Sequence, residues 1–509
     1  MNTETPQQLL DRAAALQRRG RTADAVAAYQ RLLALRPDYA DGWYDLGFAL
    51  RQLGRFDEAL TAYDRALAYN VSAPEEVRLN RAVIYADHLR RDAAAQAELE
   101  AATALNPDYA PAWLNLGNLH EERGDRDAAA QCYERILPDS GAAYADFRLE
   151  ALARLLRLRR PKSAAAALLG AAQKAADGAR GADPVSLSNL FYSLGEAYDE
   201  IGDYTRAFSV FSRANDLVRK AGPAYSPYTV EAMVADAVKS FPAPFATGVP
   251  APITGDAKAG PQPLFICGMF RSGSTLFEQV LSSHSKIVAG GELSLLSRLA
   301  ARSGVRSQSD FAALSDSRAR GLAAQYLDEL QKLFPQAAAS ARYVCDKRPD
   351  NFMLIGLIKK LFPAAKIIHT VRQPLDNCLS VYFQHIDQRF AGYASDLADA
   401  AHYFGQYRQM MAHWKRVFGA DIIDVDYDQF VAAPEPLVRD VLTAVGLEYE
   451  SACMNFHQRR NTVKTASYWQ VREPLYRKSS GRWRNYAGHL APLIAGLKAA
   501  GVEDIQDTD

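Results

Sequence analysis

The chain carries no surplus of charge. Its 59 lysine and arginine residues are balanced by 59 aspartate and glutamate residues over a length of 509. That balance disfavours nucleic-acid binding through a broad basic surface and leaves room only for local basic pockets. Cysteine is scarce. The five cysteines, Cys132, Cys267, Cys345, Cys378 and Cys453, are scattered, odd in number and without the spacing of a disulfide framework or a metal site. Reduced thiols, no bound metal and a cytoplasmic setting are therefore expected. Long apolar runs are missing as well, since no stretch approaches the ~20 residues that a membrane-spanning helix needs. The opening residues, Met1-Asn-Thr-Glu-Thr-Pro-Gln-Gln, have neither the basic nor the apolar block of a secretion signal. What is present is core-forming material, 49% apolar residues, in a chain long enough for two or three domains.

The first part of the chain repeats itself. Arg36-Pro-Asp-Tyr-Ala40, followed by Trp43, Leu46 and Gly47, returns 70 residues later as Asn106-Pro-Asp-Tyr-Ala110 with Trp113, Leu116 and Gly117. After each of Gly20, Gly54, Gly124 and Gly202 an alanine follows at the fifth position (Ala25, Ala59, Ala129, Ala207) and an aromatic ring at the ninth (Tyr29, Tyr63, Tyr133, Phe211). Gly20 and Gly54 stand 34 residues apart. A small residue lets two antiparallel helices approach closely, and a glycine ends the first of them. The pattern resembles the tetratricopeptide repeat. The 70-residue step calls for a degenerate repeat near residues 74–105 and another near 144–177, five or six repeats in all, ending near Gly222. The resemblance implies an α-solenoid whose concave groove takes peptides or partner proteins. The competing uses are a scaffold for the domain that follows and a contact in a homodimer.

Prolines then crowd in between residues 223 and 263, and a helix is expected over 228–240 on the spacing of Val230, Met233, Val234 and Val238. From Pro263 onward short apolar strands (264–267, 366–371, 422–425) alternate with helices (277–283, 351–362, 375–385). This is the pattern of an α/β domain built on a parallel sheet. The expected domains are an α-solenoid at 1–222, a proline-rich linker with a short helix at 223–262, a P-loop-like α/β domain at 263–500 and a tail at 501–509.

The stretch Pro263-Leu-Phe-Ile-Cys-Gly-Met-Phe-Arg-Ser-Gly-Ser-Thr-Leu276 reads as a buried strand, a tight turn and the start of a helix. That layout aims backbone N–H groups and a helix N-terminus at a phosphate. Gly268-x4-Gly273-Ser274-Thr275 nearly fits the P-loop of nucleotide triphosphatases, but its lysine is missing. Ser274 stands in that place, and Arg271 sits inside the loop. Without the lysine and a clear carboxylate for Mg²⁺, γ-phosphoryl transfer is poorly served, and a small-molecule kinase is the weaker reading. Transfer of a neutral SO₃ group, which needs no metal clamp, fits better. A second segment, Asp346-Lys-Arg-Pro-Asp-Asn351, precedes a helix and a strand ending at Val371. Arg372 then stands at the carboxyl end of that strand, where ligands bind in open α/β sheets, and Ser380 follows eight residues on. An arginine clamps a phosphate bidentately, with a hydroxyl completing the shell. A structural ion pair is the alternative for Arg372.

Together these segments resemble the sulfotransferase superfamily that uses 3′-phosphoadenosine-5′-phosphosulfate. Its 5′-phosphosulfate loop is similar to Phe270-Arg-Ser-Gly-Ser-Thr275, and its 3′-phosphate segment to the run from Arg372 to Ser380. Its C-terminal basic loop resembles Arg477-Lys-Ser-Ser-Gly-Arg-Trp483, with Ser479 at a family glycine, and its adenine-side residue resembles Tyr427. Within the superfamily the tyrosylprotein sulfotransferases are most similar. Their Gly-Glu-Glu segment resembles Gly290-Gly291-Glu292, their Lys-Asp-Pro resembles Lys347-Arg348-Pro349, and a serine upstream of the C-terminal loop resembles Ser467. The resemblance implies donor binding by Arg271, Ser272, Gly273, Ser274, Thr275, Arg372, Ser380, Tyr427, Arg477 and Lys478, with adenosine 3′,5′-bisphosphate as product and no metal. It implies Glu292 as the base that takes the acceptor hydroxyl's proton. Lys347 and Ser467 would stabilise charge on the transferring group and the leaving oxygen. His284 is the rival base, although its place after the loop helix favours a helix-end role. The acceptor is left open between a peptide or protein tyrosine recruited by the repeats and a small molecule, glycan or lipid head group. A non-catalytic scaffold is disfavoured by the presence of Arg271, Lys347, Arg372 and Ser380. Because every donor motif follows Pro263, a piece cut near Pro223 is expected to keep donor binding.

Overall fold

The computed structural model describes residues 4–138, 142–159, 165–245, 260–458, 475 and 479–505. The chain divides into two compact units, Met1–Glu121 with Asp125–Leu155, and Glu122–Gly124 with Leu156–Asp509.

The first unit is helical. Its antiparallel pairs are Pro6–Arg18 with Thr22–Leu35, Ala40–Gln52 with Phe56–Ala68, Pro74–Val83 with Asp92–Leu105, and Ala110–Arg123 with Arg126–Glu134. Packing explains the repeat signature. Ala25, Ala59 and Ala129 are fully buried, as are Tyr63 and Tyr133. A Cβ on Gly47 would stand 2.6 Å from the Tyr63 ring, and one on Gly117 would collide with Tyr133 in the same way. The glycine of each first helix is thus the socket for a ring on the second. In the degenerate repeat, Ala95 and Leu99 fill the alanine and ring positions. Arg90 there adopts φ 55° where Gly20 and Gly54 adopt 72°, a left-handed conformation that costs a non-glycine residue about 1 kcal/mol. A repeat lacking both its glycine and its ring is why the sequence pattern steps by 70 residues.

The second unit begins with helical pieces that continue the repeat pattern, Ala165–Gly178 and then the pair Pro184–Glu200 and Tyr204–Ala221. The expected linker helix is Pro227–Ser240, followed by Phe241, which is buried against Trp414 with ring centroids 5.3 Å apart. The sheet has five strands: β1 (Gln262–Gly268), β2 (Ile287–Val288), β3 (Tyr343–Lys347), β4 (Ile367–Val371) and β5 (Ile422–Asp426). Their order is β2-β3-β1-β4-β5, and every neighbouring pair is parallel. Central β1 is buried on both faces, as a near-continuous apolar run requires. Leu264 and Ile266 join Phe277, Val280, Ile368 and Val425 on one side, while Phe265 meets the rings of Tyr326 and Phe362 on the other. Parallel pairing throughout puts all the strand carboxyl ends at one edge.

The three expected strands form close to their expected bounds. Two more, β2 and β3, were not anticipated. β2 is only two residues long, and β3 ends in Asp346 and Lys347, both 0% exposed, so charges interrupt its apolar run. The helix expected over 351–362 begins instead as a 3₁₀ turn, Pro349–Leu354, before the α-helix Ile355–Leu361. The longest helix of the unit, Leu397–Phe418, also went unanticipated.

The last repeat pair belongs to this unit through its side chains. Phe211 stacks on Phe383 at 4.0 Å between centroids, Phe208 stacks on His489 at 4.2 Å, and Asn215 Nδ2 donates to the Tyr382 carbonyl at 2.9 Å. All five cysteines are buried free thiols. Among the described residues no helix is long and apolar enough to cross a membrane.

Candidate active site

All five strands deliver candidate site residues from their carboxyl ends. The loop 269–273 follows β1, the Gly290-Gly291-Glu292 turn follows β2, Lys347 closes β3, Arg372 follows β4 and Tyr427 follows β5. β1 is the point where the chain order of the strands reverses, with β2 and β3 laid to one side and β4 and β5 to the other. Such a switch point opens a crevice for ligands.

The loop after β1 owes its shape to three residues. Arg271 adopts φ 67° and Gly273 φ 96°, and a Cβ on Gly273 would lie 2.5 Å from the Tyr427 ring. Only glycine fits there. Ser272 Oγ and Thr370 Oγ1 are 2.6 Å apart, which ties the loop to β4. The Ser272 N–H closes a turn onto the Met269 carbonyl at 3.2 Å, so this one of the four expected backbone donors is turned inward. The N–H groups of Gly273, Ser274 and Thr275 precede the first intrahelical bond of Ser274–Ser282, which Phe277 N–H makes to the Gly273 carbonyl at 3.0 Å. They are the orphan donors and positive dipole end that an anion satisfies.

Arg271 meets Arg372 and Ser380, 101 and 109 residues further along the chain. Arg271 Nε donates to Ser380 Oγ at 3.2 Å, and Arg372 Nη1 donates to the Arg271 carbonyl at 3.1 Å. Arg372 is 7% exposed and lies over the Tyr427 ring, 4.8 Å from its centroid. Its Nη2 holds the Ser479 carbonyl, while its Nε is buried with no partner. A buried guanidinium N–H without an acceptor is costly, and an anion in the crevice is one group that could satisfy it. Among the described residues no ion pair of Arg372 is found; its side chain meets carbonyl oxygens and an aromatic face. Tyr427 packs between Arg372 and Gly273 rather than standing free beside them.

A second cluster lies on the other side of β1. Lys347 Nζ donates to Glu292 Oε1 at 2.7 Å, with Lys347 fully buried and the Glu292 side chain 38% exposed. The Glu292 turn is fixed from below. Glu278, 1% exposed in the loop helix, accepts from Gly291 N–H at 2.7 Å, and Lys347 N–H donates to the Gly291 carbonyl at 3.0 Å. Next door, Asp346 accepts from Tyr326 OH at 2.6 Å, and burial pushes its carboxyl up to about 6 against the pull of the Tyr326 and Asn351 hydrogen bonds. His284 has no free nitrogen. Lys286 N–H donates to its Nδ1 at 3.0 Å, which leaves Nε2–H to donate to the Glu448 carbonyl at 2.8 Å. These bonds fit the helix-end role expected for His284.

Ser467, Arg477 and Lys478 lie outside the described residues. Sequence reasoning missed three supporting side chains. Asn377 Nδ2 holds the Phe270 carbonyl at 2.7 Å, Asp376 takes the N–H groups of Gly481 and Trp483, and Glu278 sets the Glu292 turn. The first two stand inside the segment between Arg372 and Ser380, where an Asp-Asn pair just after a helix-starting proline was the available signal. Among the described residues no cluster of three or more histidine, cysteine or acidic side chains could hold a metal ion.

Residues 263–451 match the sulfotransferase family. The sheet domain is a sulfotransferase-family domain. Residues 10–74, 44–110 and 79–145 each match the tetratricopeptide repeat, a protein-interaction fold. An uncharacterized protein of Aquifex aeolicus (strain VF5) is 32% identical over 330 residues, covering 62% of this chain and 42% of that protein. Protein-tyrosine sulfotransferase 1 of Danio rerio is 26% identical over 210 residues, covering 38% of this chain and 56% of that protein. This chain thus spans less than two thirds of either relative. The solved sulfotransferase domain of the Synechococcus PCC 7002 olefin synthase is 20% identical, covering 49% of this chain and 97% of that domain with a TM-score of 0.35. The match over residues 263–451 points to a transferase domain, and its chemistry has to be read from the site itself.

Proposed function

We propose that this protein moves a sulfuryl group from 3′-phosphoadenosine-5′-phosphosulfate to an acceptor hydroxyl, and that the repeats recruit a peptide or protein bearing that hydroxyl, a tyrosine by the similarity to protein-tyrosine sulfotransferases. The observation that carries this reading is the meeting of Arg271, Arg372 and Ser380 beside a phosphate loop that has Ser274 where a kinase needs lysine. The donor supplies an already activated sulfuryl group, so the protein has only to bind, orient and move one proton.

The positions of the described residues support the following division of work, and the family resemblance alone supports the roles of Ser467, Arg477 and Lys478. Gly273, Ser274 and Thr275 present backbone N–H groups to the 5′ side, with Arg271 beside them. Arg372 and Ser380 face the 3′-phosphate, aided from the C-terminal loop by Arg477 and Lys478. Tyr427 lines the nucleotide side of the crevice. Glu292, exposed at its tip, takes the proton from the acceptor hydroxyl at its carboxylate. Lys347 and Ser467 stabilise negative charge between donor and acceptor.

Calorimetry with Arg372→Ala tests the donor half. The wild-type chain is expected to bind adenosine 3′,5′-bisphosphate in EDTA. The variant should lose charge-assisted bonds worth about 1.5–3 kcal/mol, roughly 10–100-fold in affinity. Unchanged affinity in a folded variant would return Arg372 to a structural role.

A further inference from the structure

The short segment 479–483 is gripped from two sides. On the sheet side, Asp376 Oδ2 accepts from Gly481 N–H at 2.5 Å and Oδ1 from Trp483 N–H at 2.8 Å. Ser480 Oγ bonds Asp428, and the Ser479 carbonyl accepts from Arg372 Nη2. On the other side stands a helix of the repeat array. Asp199, in the last turn of Pro184–Glu200, takes Arg482 with both oxygens, Oδ1 to Nε at 3.2 Å and Oδ2 to Nη2 at 3.0 Å. The same carboxylate accepts from Tyr486 OH. The two side chains are only 27% and 21% exposed, and Arg482 lies over the Phe383 ring at 5.1 Å. A two-pronged arginine–carboxylate pair fixes direction as well as distance, and shielding from water keeps it unscreened.

Asp199 sits on an element that the repeat pattern assigns to partner binding, yet its bonds lead into the donor crevice. The path is continuous: Asp199 to Arg482, along three residues of backbone to the Ser479 carbonyl, and from there to the Arg372 guanidinium whose Nε lacks a partner. We propose that Asp199 is a positioning residue for the donor site: by holding Arg482 it sets the 479–483 segment, and that segment orients Arg372 toward the 3′-phosphate. The last repeat is then part of the nucleotide site as well as part of the array. The proposal rests on the donor reading above.

The test is calorimetry on the full chain with two probes, adenosine 3′,5′-bisphosphate and adenosine 5′-monophosphate, for wild type and Asp199→Asn. Wild type is expected to prefer the bisphosphate. The variant keeps shape and one acceptor but loses the charge, so it should lose about tenfold in bisphosphate affinity while binding the monophosphate as before. The 5′ contacts, made by the loop after β1, do not depend on Asp199. A merely structural role would weaken both nucleotides together. A folded variant that keeps the full preference, or loses both ligands alike, overturns the positioning role. If wild type binds both nucleotides equally, the donor reading falls and this proposal with it. Should Asp199→Asn fail to fold, Arg482→Lys, which keeps the charge and loses the two-pronged bond, is read by the same two affinities and the same criteria.

Discussion

A chain shortened to begin at Pro223 will not bind adenosine 3′,5′-bisphosphate, because it will not fold. The sequence suggested the opposite, since the prolines between 223 and 263 look like a separable boundary and every donor motif follows them. The structure places helices Pro184–Glu200 and Tyr204–Ala221 inside the second compact unit. Removing them strips Phe208 and Phe211 from Tyr382, Phe383, Tyr486 and His489. Each large apolar side chain returned to water costs about 1.5–3 kcal/mol, and several together rival the ~5–15 kcal/mol net stability of a domain. Polar losses add to this. Asn215, Asn189 and Asp199 would no longer serve Tyr382, His385 and Arg482, and a half-buried arginine left without its carboxylate is destabilising. A piece beginning at Leu156 keeps all these contacts and should unfold cooperatively and bind the nucleotide as the full chain does. Thermal unfolding followed by circular dichroism, with calorimetry on the soluble pieces, checks this. A soluble 223–509 piece with a cooperative melt and full affinity would show the last helix pair to be dispensable.

Glu292→Gln should slow sulfuryl transfer by about 10²–10⁴-fold, the usual contribution of a positioned general base, and leave donor affinity nearly unchanged. The carboxylate is paired with buried Lys347 and part-exposed, whereas the proposed donor residues follow β1 and, across it, β4. Glutamine keeps an oxygen for Lys347 Nζ and keeps the size of the side chain, so the turn held by Glu278 stays in place. Steady-state kinetics with bisphosphate binding measured in parallel separates the two effects. Full turnover in the variant would assign proton removal to another group, with His284 the next residue to substitute.

The parts of the site that were legible in the sequence share one property, a local grammar. Arg271 sits in a loop whose glycines and following helix announce a phosphate cradle, and Arg372 follows an apolar strand. Ser380 occupies the helix that Arg372 introduces. The parts that were not legible depend on distance. Asp199 reads as an acidic residue at a solvated helix end, and nothing near it announces a partner 283 residues away. Glu278 reads as the polar face of a helix but is 1% exposed, because it holds a turn that arrives after β2. β3 was missed for a related reason. A strand whose last two residues are a buried aspartate and a buried lysine breaks the apolar pattern at the point where function begins. In the repeats, burial of the small alanine and its ring is common to every clear copy, so those copies were visible. The copy in which Arg90 and Leu99 replace glycine and ring could be found only by its spacing.

The most direct measurement incubates the full chain with sulfur-labelled 3′-phosphoadenosine-5′-phosphosulfate in EDTA, offering a tyrosine-containing peptide and a simple phenol as acceptors. In parallel, γ-labelled ATP with Mg²⁺ is offered to the same acceptors. The serine at position 274 and the Arg271–Arg372–Ser380 cluster predict sulfur label on an acceptor hydroxyl without metal, release of adenosine 3′,5′-bisphosphate in equal amount, and no phosphate label. Phosphate label from ATP that requires Mg²⁺, with no movement of sulfur label, would contradict sulfuryl transfer outright.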